Sequence, residues 1–416
     1  MTGTPCASFG PDITERARDT SRPVMLVGFL DQGNLGLGYL IAVLRDFGYR
    51  VVVVDVENEP DEILAVARRE RPLLIGFSLI FQFYITRYER LIRHLRRGGM
   101  ACHFTMGGHF PSLSAAETMR AVPMLDSVVR FEGEVTLLEV CDRISAGDDW
   151  RETSGLVFRR GDELVETDAR HLLRRLDDLP YPARDFEPET VLGRRAMPLI
   201  ASRGCARTCS FCSIHTFYRA ASGKILRTRE PSAVVEEMRY LHNERGISIF
   251  LFQDDDFPLF GPVWQRWTRN FLAELRKAGL PGNAIWKMNC RADAVDEQLF
   301  TEMRDAGLYL VYMGLESGDE DGLKALDKGI TVEQNLAAVA TLKRVGLVFE
   351  FGFMLFDPSS SFGSVRANTR FLRRIAGDGS VAAVFCRMLP YDGTPIKHTL
   401  EAEHRLKGDV TNPDYD

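Results

Sequence analysis

Cys205, Cys209 and Cys212 stand within Ala201-Ser-Arg-Gly-Cys-Ala-Arg-Thr-Cys-Ser-Phe-Cys-Ser213, spaced C-x3-C-x2-C. They follow the apolar run Met197–Ala201 on a loop that contains a glycine. Three thiolates this close can take three corners of an iron–sulfur cubane. Fully ligated [4Fe–4S] clusters use four cysteines and serve mainly electron transfer. No fourth cysteine lies nearby, so one iron would be open to chelation by a small molecule. Two other readings stand beside this one. The thiols are buried for packing, or they hold zinc with His215, the only near candidate for a fourth ligand.

Further chemistry clusters downstream. In Gln253-Asp254-Asp255-Asp256-Phe257, three adjacent carboxylates repel one another, and such a run wants a cation or hydrogen-bond donors unless it is a solvated loop. Asn289-Cys-Arg-Ala-Asp293, Gly314-Leu-Glu-Ser-Gly318 and Phe353-Met-Leu-Phe-Asp-Pro358 each close an apolar run. The guanidinium fork of Arg291 matches carboxylate geometry. An ion pair with a neighbouring carboxylate is the alternative use for it. Glu316 lies between glycines that let backbone approach closely.

These groups must be held by regular elements. From Pro23 to about Ile144, runs such as Val24–Leu30, Val51–Val56, Leu73–Ser78, Cys102–Met106 and Leu125–Phe131 alternate with helical patterns such as Gly36–Phe47 and Thr86–Arg97. Short β-branched runs between helices predict a parallel sheet covered on both faces, a Rossmann-like or flavodoxin-like α/β domain over 23–145. Residues 1–22 are polar and broken by Gly and Pro, and predict a disordered leader. Residues 146–196 read as a linker with a small hairpin around Arg160-Gly161-Asp162. A second alternating series over 197–395 has strands at Leu199–Ser202, Ile247–Phe252, Ala284–Asn289, Tyr309–Gly314, Val348–Leu355 and Ala382–Leu389. Six strands suit a partial β/α barrel, whose active-site groups sit at the carboxyl ends of the strands. The polar tail 396–416 shows no recognisable packed element.

The chain has 416 residues, 45% hydrophobic, with a net charge of −6 and a pI near 5.9. That is ample for full cores and points to neither a nucleic-acid nor a membrane surface. The eight cysteines form no disulfide framework, and with no apolar run long enough to span a bilayer they suit a reducing cytoplasm.

The cysteine loop, including Phe211 just before its last cysteine, resembles the loop of the radical S-adenosylmethionine (radical SAM) enzymes. Leu35-Gly-Leu-Gly-Tyr-Leu40, Ser78-Leu-Ile80, Met106-Gly-Gly-His-Phe-Pro111 and Arg130-Phe-Glu-Gly-Glu134 resemble the cobalamin-binding domain that precedes many of them. The resemblance spans about residues 23 to 395. It implies a [4Fe–4S] cluster on Cys205, Cys209 and Cys212, with S-adenosylmethionine on the open iron. Asp254 and Asp255 would meet the ammonium group of that cofactor, Arg291 its carboxylate and Glu316 a ribose hydroxyl, with Phe211 alongside. It also implies cobalamin near Ser78, Gly107 and Gly108. Two departures bear on cobalamin: no Asp-x-His-x-x-Gly loop is present, and Phe81-Gln-Phe-Tyr84 puts aromatics just after Ser78. The family reaction takes one electron, from a donor such as flavodoxin or ferredoxin, and makes a 5′-deoxyadenosyl radical that attacks a small-molecule substrate. Cobalamin-dependent methyl transfer is the favoured outcome. Cobalamin-free dehydration, oxidation or rearrangement is the alternative, and a sensor without catalysis ranks last.

Overall fold

β-branched runs build the first layer. Val24–Gly28 (β1), Val51–Asp55 (β2), Leu74–Ser78 (β3), His103–Gly107 (β4) and Ser127–Val129 (β5) pair in parallel in the order β2-β1-β3-β4-β5. Met25, Val27, Ile75, Phe77, Phe104 and Met106 on one face, and Val24, Leu26 and Leu74 on the other, are almost wholly buried, as both faces of a helix-covered parallel sheet must be. The helix Leu35–Asp46 starts where Asn34 accepts a hydrogen bond from Leu37 N at 3.1 Å, a cap worth about 1 kcal/mol. The computed structural model describes residues 19–30, 33–191, 193–376 and 386–416.

The hairpin expected in a linker belongs to this sheet. Leu156–Arg160 (β6) pairs antiparallel with β5, and Glu163–Glu166 (β7) pairs antiparallel with β6, giving seven strands. The helix Gly133–Ala146 lies between β5 and β6, and neither it nor the turn-rich stretch after it tells from the pattern alone that the next strand returns antiparallel to the same sheet. Most of the expected leader, residues 1–18, lies outside the described residues. Arg22 at its end is tied down, donating to Pro72 O at 2.6 Å.

The chain divides into two compact units, Met1–Glu187 with Thr216–Lys224 and Gly408–Pro413, and Pro188–His215 with Ile225–Lys407 and Asp414–Asp416. In the second unit, Glu189–Val191 (β8) pairs antiparallel with Arg194–Leu199 (β9). Ser202–Arg203 (β10) and Arg227–Thr228 (β11) form a separate antiparallel ribbon. Ile249–Phe252 (β12), Ile285–Arg291 (β13), Leu308–Glu316 (β14) and Val348–Phe353 (β15) continue in parallel from β9, in the order β15-β14-β13-β12-β9-β8. The result is the curled half barrel expected.

The sixth strand differs from expectation. Residues 382–385 of the expected strand Ala382–Leu389 lie outside the described residues, and Arg387 makes an isolated parallel bridge to Phe356. The sixth strand among the described residues is the antiparallel β8. The expected tail is also packed. The helix Pro395–Ala402 buries Ile396 and Leu400 against Leu326, Met388 and Tyr415.

Register places the chemistry. Arg291 is opposite Gly314, and Gly314 is opposite Gly352. Partners in a parallel pair share a face, so these three form a row near the carboxyl ends of β13 to β15. Trp286, Met288, Cys290, Val311 and Met313 alternate with them and are buried on the opposite face.

Candidate active site

β9 delivers the chain to the cysteine loop. Gly204 has φ +90°, and a Cβ there would overlap the Ile225 carbonyl, so only glycine lets the ribbon turn into Cys205. Cys209 is buried, whereas Cys205 and Cys212 are half-buried. Cys212 N donates to Cys209 O at 3.1 Å, which closes a turn between the last two cysteines. The loop is docked on residues 325–327. Ser210 N donates to Leu326 O at 2.9 Å, Ser210 Oγ to Ala325 O at 3.2 Å, and Thr208 Oγ1 to Asp327 Oδ2 at 3.0 Å. Phe211 packs with Leu326, Met388, Ile396 and Leu400.

Burial, reinforced by the nearby Asp256 carboxylate, pushes the Cys205 thiol up to about 12, and burial pushes Cys212 up to about 11. Such thiols ionise only against a cation, and metal binding is what displaces their protons. Among the described residues, no three His, Cys, Asp or Glu side chains converge to hold one metal ion. A cubane makes no such demand, because each thiolate takes a different iron. His215 Nδ1 lies 3.0 Å from Cys212 O, so that ring nitrogen is used on the backbone and not aimed at a thiol.

The acidic run after β12 is divided between structure and site. Asp254, expected at the cofactor ammonium, is 1% exposed and accepts from Ala201 N at 3.1 Å and Ser202 Oγ at 2.5 Å. It braces the end of β9 instead. Burial raises its carboxyl to about 7 against those hydrogen bonds. Asp255, expected in the same role, accepts from Gly204 N at 2.9 Å and so fixes the entry to the cysteine loop. Asp256 accepts no hydrogen bond among the described residues and keeps partial exposure. Burial raises its carboxyl to about 6, opposed by Arg291 and Arg207. The sequence displayed Asp256, but nothing in a run of three like residues says which one the loop leaves unengaged.

Arg291, expected at the cofactor carboxylate, is engaged internally. Its Nε donates to Asp293 Oδ1 at 3.0 Å, its Nη2 to Lys328 O at 2.5 Å and its Nη1 to Cys209 Sγ at 3.5 Å. Arg207 also reaches Asp293, at 3.1 Å. The ion pair with a neighbouring carboxylate is therefore what forms. Glu316 ends β14 at φ +63°, a left-handed conformation costing a non-glycine residue about 1–2 kcal/mol. Lys328 Nζ donates to it at 3.0 Å, and both side chains are nearly buried. Gly314 makes room, since a Cβ there would overlap the Glu316 carboxylate. Lys328, Asp293 and Asp327 escaped sequence reasoning. Lys328 sits in an aperiodic segment between helices, and only the fold that brings it to Glu316 and Arg291 gives it a role.

In the first unit Ser78 ends β3, and its carbonyl accepts from Tyr88 Oη at 2.6 Å. Gly108 has φ +114°, and a Cβ would collide with the Leu79 backbone, so the protein's own chain makes the close approach expected of a ligand ring. A Cβ on Gly107 would meet only Val129, at 3.3 Å from its carbonyl oxygen. Of the aromatics after Ser78, Tyr84 turns into the core beside Phe29, with ring centroids 4.6 Å apart. Phe81 and Phe83 stack on each other and, with Ile80, stay exposed. His109 stacks on Phe217 at 4.5 Å, and its Nε2 is buried without a partner.

Residues 199–359 match the family model of the radical SAM superfamily, and residues 21–141 match that of the B12 binding domain. The chain is a radical SAM enzyme with an N-terminal B12-binding-type domain. It is 28% identical over 370 residues to an uncharacterised methyltransferase of Pyrococcus horikoshii, covering 87% of this chain and 77% of the relative. It is 30% identical over 262 residues to the anaerobic magnesium-protoporphyrin IX monomethyl ester cyclase of Cereibacter sphaeroides, covering 60% of this chain and 41% of that one. The cobalamin-dependent radical enzyme OxsB, solved with aqua-cobalamin and S-adenosylmethionine bound, has the same fold at a TM-score of 0.77 and 20% identity. That match covers 94% of this radical SAM chain and 64% of the OxsB chain. Radical SAM membership brings with it the cluster and S-adenosylmethionine, and a small-molecule substrate. Among the described residues, no helix is long and apolar enough to cross a membrane.

Proposed function

We propose that the protein is a cobalamin-dependent radical SAM methyltransferase acting on an unactivated carbon of a small molecule. The observation that carries the radical chemistry is the three-cysteine loop, bolted to residues 325–327, with Asp256, which accepts no hydrogen bond among the described residues, close to Cys205. Cys205, Cys209 and Cys212 would hold the [4Fe–4S] cluster on three irons. Bound there, the cluster supplies the single electron that cleaves S-adenosylmethionine, and cobalamin in the first unit supplies a methyl carrier. The chain's own residues do the holding. Asp256, as carboxylate, would accept from the cofactor ammonium, and Glu316, held by Lys328, is presented rigidly to a hydroxyl. Asp254 and Asp255 contribute indirectly, by fixing the strand end and Gly204 from which the loop departs. The electron would come from a small carrier such as flavodoxin or ferredoxin.

We assign the corrin ring of cobalamin to the first unit. Ser78, Gly107 and the exposed Ile80, Phe81 and Phe83 lie at or just beyond the carboxyl ends of β3 and β4, and would hold its face and edge. Methyl transfer is supported by the methyltransferase name of a relative aligned over 87% of this chain. A second reading, radical chemistry without cobalamin, draws on the same place. Gly108 serves Leu79, and Phe81 with Phe83 stands where a nucleotide tail would run. Anaerobic reconstitution with hydroxocobalamin separates the two. The methyltransferase binds about one cobalt per chain and forms S-adenosylhomocysteine together with 5′-deoxyadenosine. Substrate turnover in protein free of cobalt, with 5′-deoxyadenosine and no S-adenosylhomocysteine, would establish the second reading instead.

A further inference from the structure

We infer that Arg291 is a positioning residue that hydrogen-bonds the Cys209 ligand and raises the reduction potential of the cluster. The inference rests on the reading of Cys205, Cys209 and Cys212 as cluster ligands. Arg291 stands at the carboxyl end of β13 and is 6% exposed. Its three donor arms are spoken for: Nη1 to Cys209 Sγ at 3.5 Å, Nε to Asp293 Oδ1 at 3.0 Å and Nη2 to Lys328 O at 2.5 Å. A guanidinium fixed on a carboxylate and a carbonyl has little freedom to leave the sulfur. Cys209 is 7% exposed, so water does not compete for that sulfur or screen it.

Electrostatics gives the sign. On reduction a cluster held by three thiolates becomes one unit more negative, while the donor, a reduced flavodoxin or ferredoxin, loses one electron. Hydrogen bonds to sulfur and nearby net charge set the potential of such a cluster. The surroundings carry the carboxylates Asp256, Asp293 and Glu316, which oppose the added charge. Lys328 answers Glu316, and Asp293 is shared by Arg291 and Arg207. Among these three cations, Arg291 is the one whose charged side chain directs an N–H at a cysteine sulfur; Arg207 reaches Cys205 only through its backbone N–H. Removing it therefore lowers the potential, and removing Asp293 does not.

The test is a redox titration of anaerobically reconstituted protein without S-adenosylmethionine, following the paramagnetic reduced cluster. Wild type, Arg291→Lys, Arg291→Gln and Asp293→Asn are compared, each at a measured iron and sulfide content. Arg291→Gln should need a donor poise at which wild type is about tenfold more reduced, a midpoint about 59 mV lower for this one-electron couple. Arg291→Lys, which keeps the charge and loses the fork, should fall between them. Asp293→Asn should leave the midpoint unchanged or raise it. An unchanged midpoint in Arg291→Gln with full iron would overturn the inference. So would loss of the cluster from both Arg291 variants in folded protein, because Arg291 would then hold the loop without tuning it. Wild-type protein that takes up no iron and sulfide would instead overturn the cluster reading beneath it.

Discussion

Two half-buried histidines and two acidic residues show how surroundings set what a side chain does. Burial lowers His103 and His109 to about 4, below the ordinary 6.5. An unfolded chain therefore binds protons that the folded one refuses between pH 4 and 6.5, and stability rises with pH through that window. For His109 alone the loss from pH 7 to pH 5 is about 2 kcal/mol. His109→Phe, which keeps the stack on Phe217, should flatten the pH dependence of thermal unfolding. An unchanged slope would contradict the burial argument. Asp254 and Asp256 form the second contrast. Asp254→Ala strips acceptors from Ala201 N and Ser202 Oγ and should cost about 1–3 kcal/mol in urea unfolding. Asp256→Asn should leave the urea midpoint in place and weaken S-adenosylmethionine binding in calorimetry. The reverse pattern would refute the division of labour. Residue types and spacing made the cysteine loop legible. They could not distinguish the acidic neighbours, because which carboxylate meets Ala201 N depends on where β9 and β12 lie side by side.

Strands with β-branched runs were readable because their apolar content has no other use, and β1 to β5 lie close to where the pattern placed them. The antiparallel additions to the sheets were not readable. The β6–β7 hairpin looked free until its pairing with β5 gave it a sheet, and β9 begins at Arg194, whose charge disguised a strand start. The glycines were half legible. Gly107 and Gly108 announced a close approach but not its partner, which for Gly108 is Leu79. Gly108→Ala should therefore destabilise the protein by at least 1 kcal/mol in denaturant, with or without cobalamin, whereas Gly107→Ala should fold with little loss. Equal stability of Gly108→Ala and wild type would mean that the Leu79 approach is not the reason for the glycine.

At the scale of the molecule, each unit has its own sheet and core, and the cysteine loop hangs from the second. The backbone and side-chain hydrogen bonds that dock the loop on residues 325–327 do not need a metal. The fold should thus survive loss of the cluster, unlike small domains that fold only around zinc. A protein with Cys205, Cys209 and Cys212 all changed to Ala should keep its far-ultraviolet circular dichroism and cooperative unfolding, and collapse to a disordered spectrum would contradict this. The central claim is that those three cysteines together hold an open-site cluster that binds and cleaves S-adenosylmethionine. Its most direct test compares anaerobically reconstituted wild type and Cys209→Ala for iron, sulfide and 5′-deoxyadenosine formed with a strong reductant. About four irons per chain and cofactor cleavage in wild type, both lost in the variant, are the expected result. Cleavage at the wild-type rate by Cys209→Ala would contradict the claim.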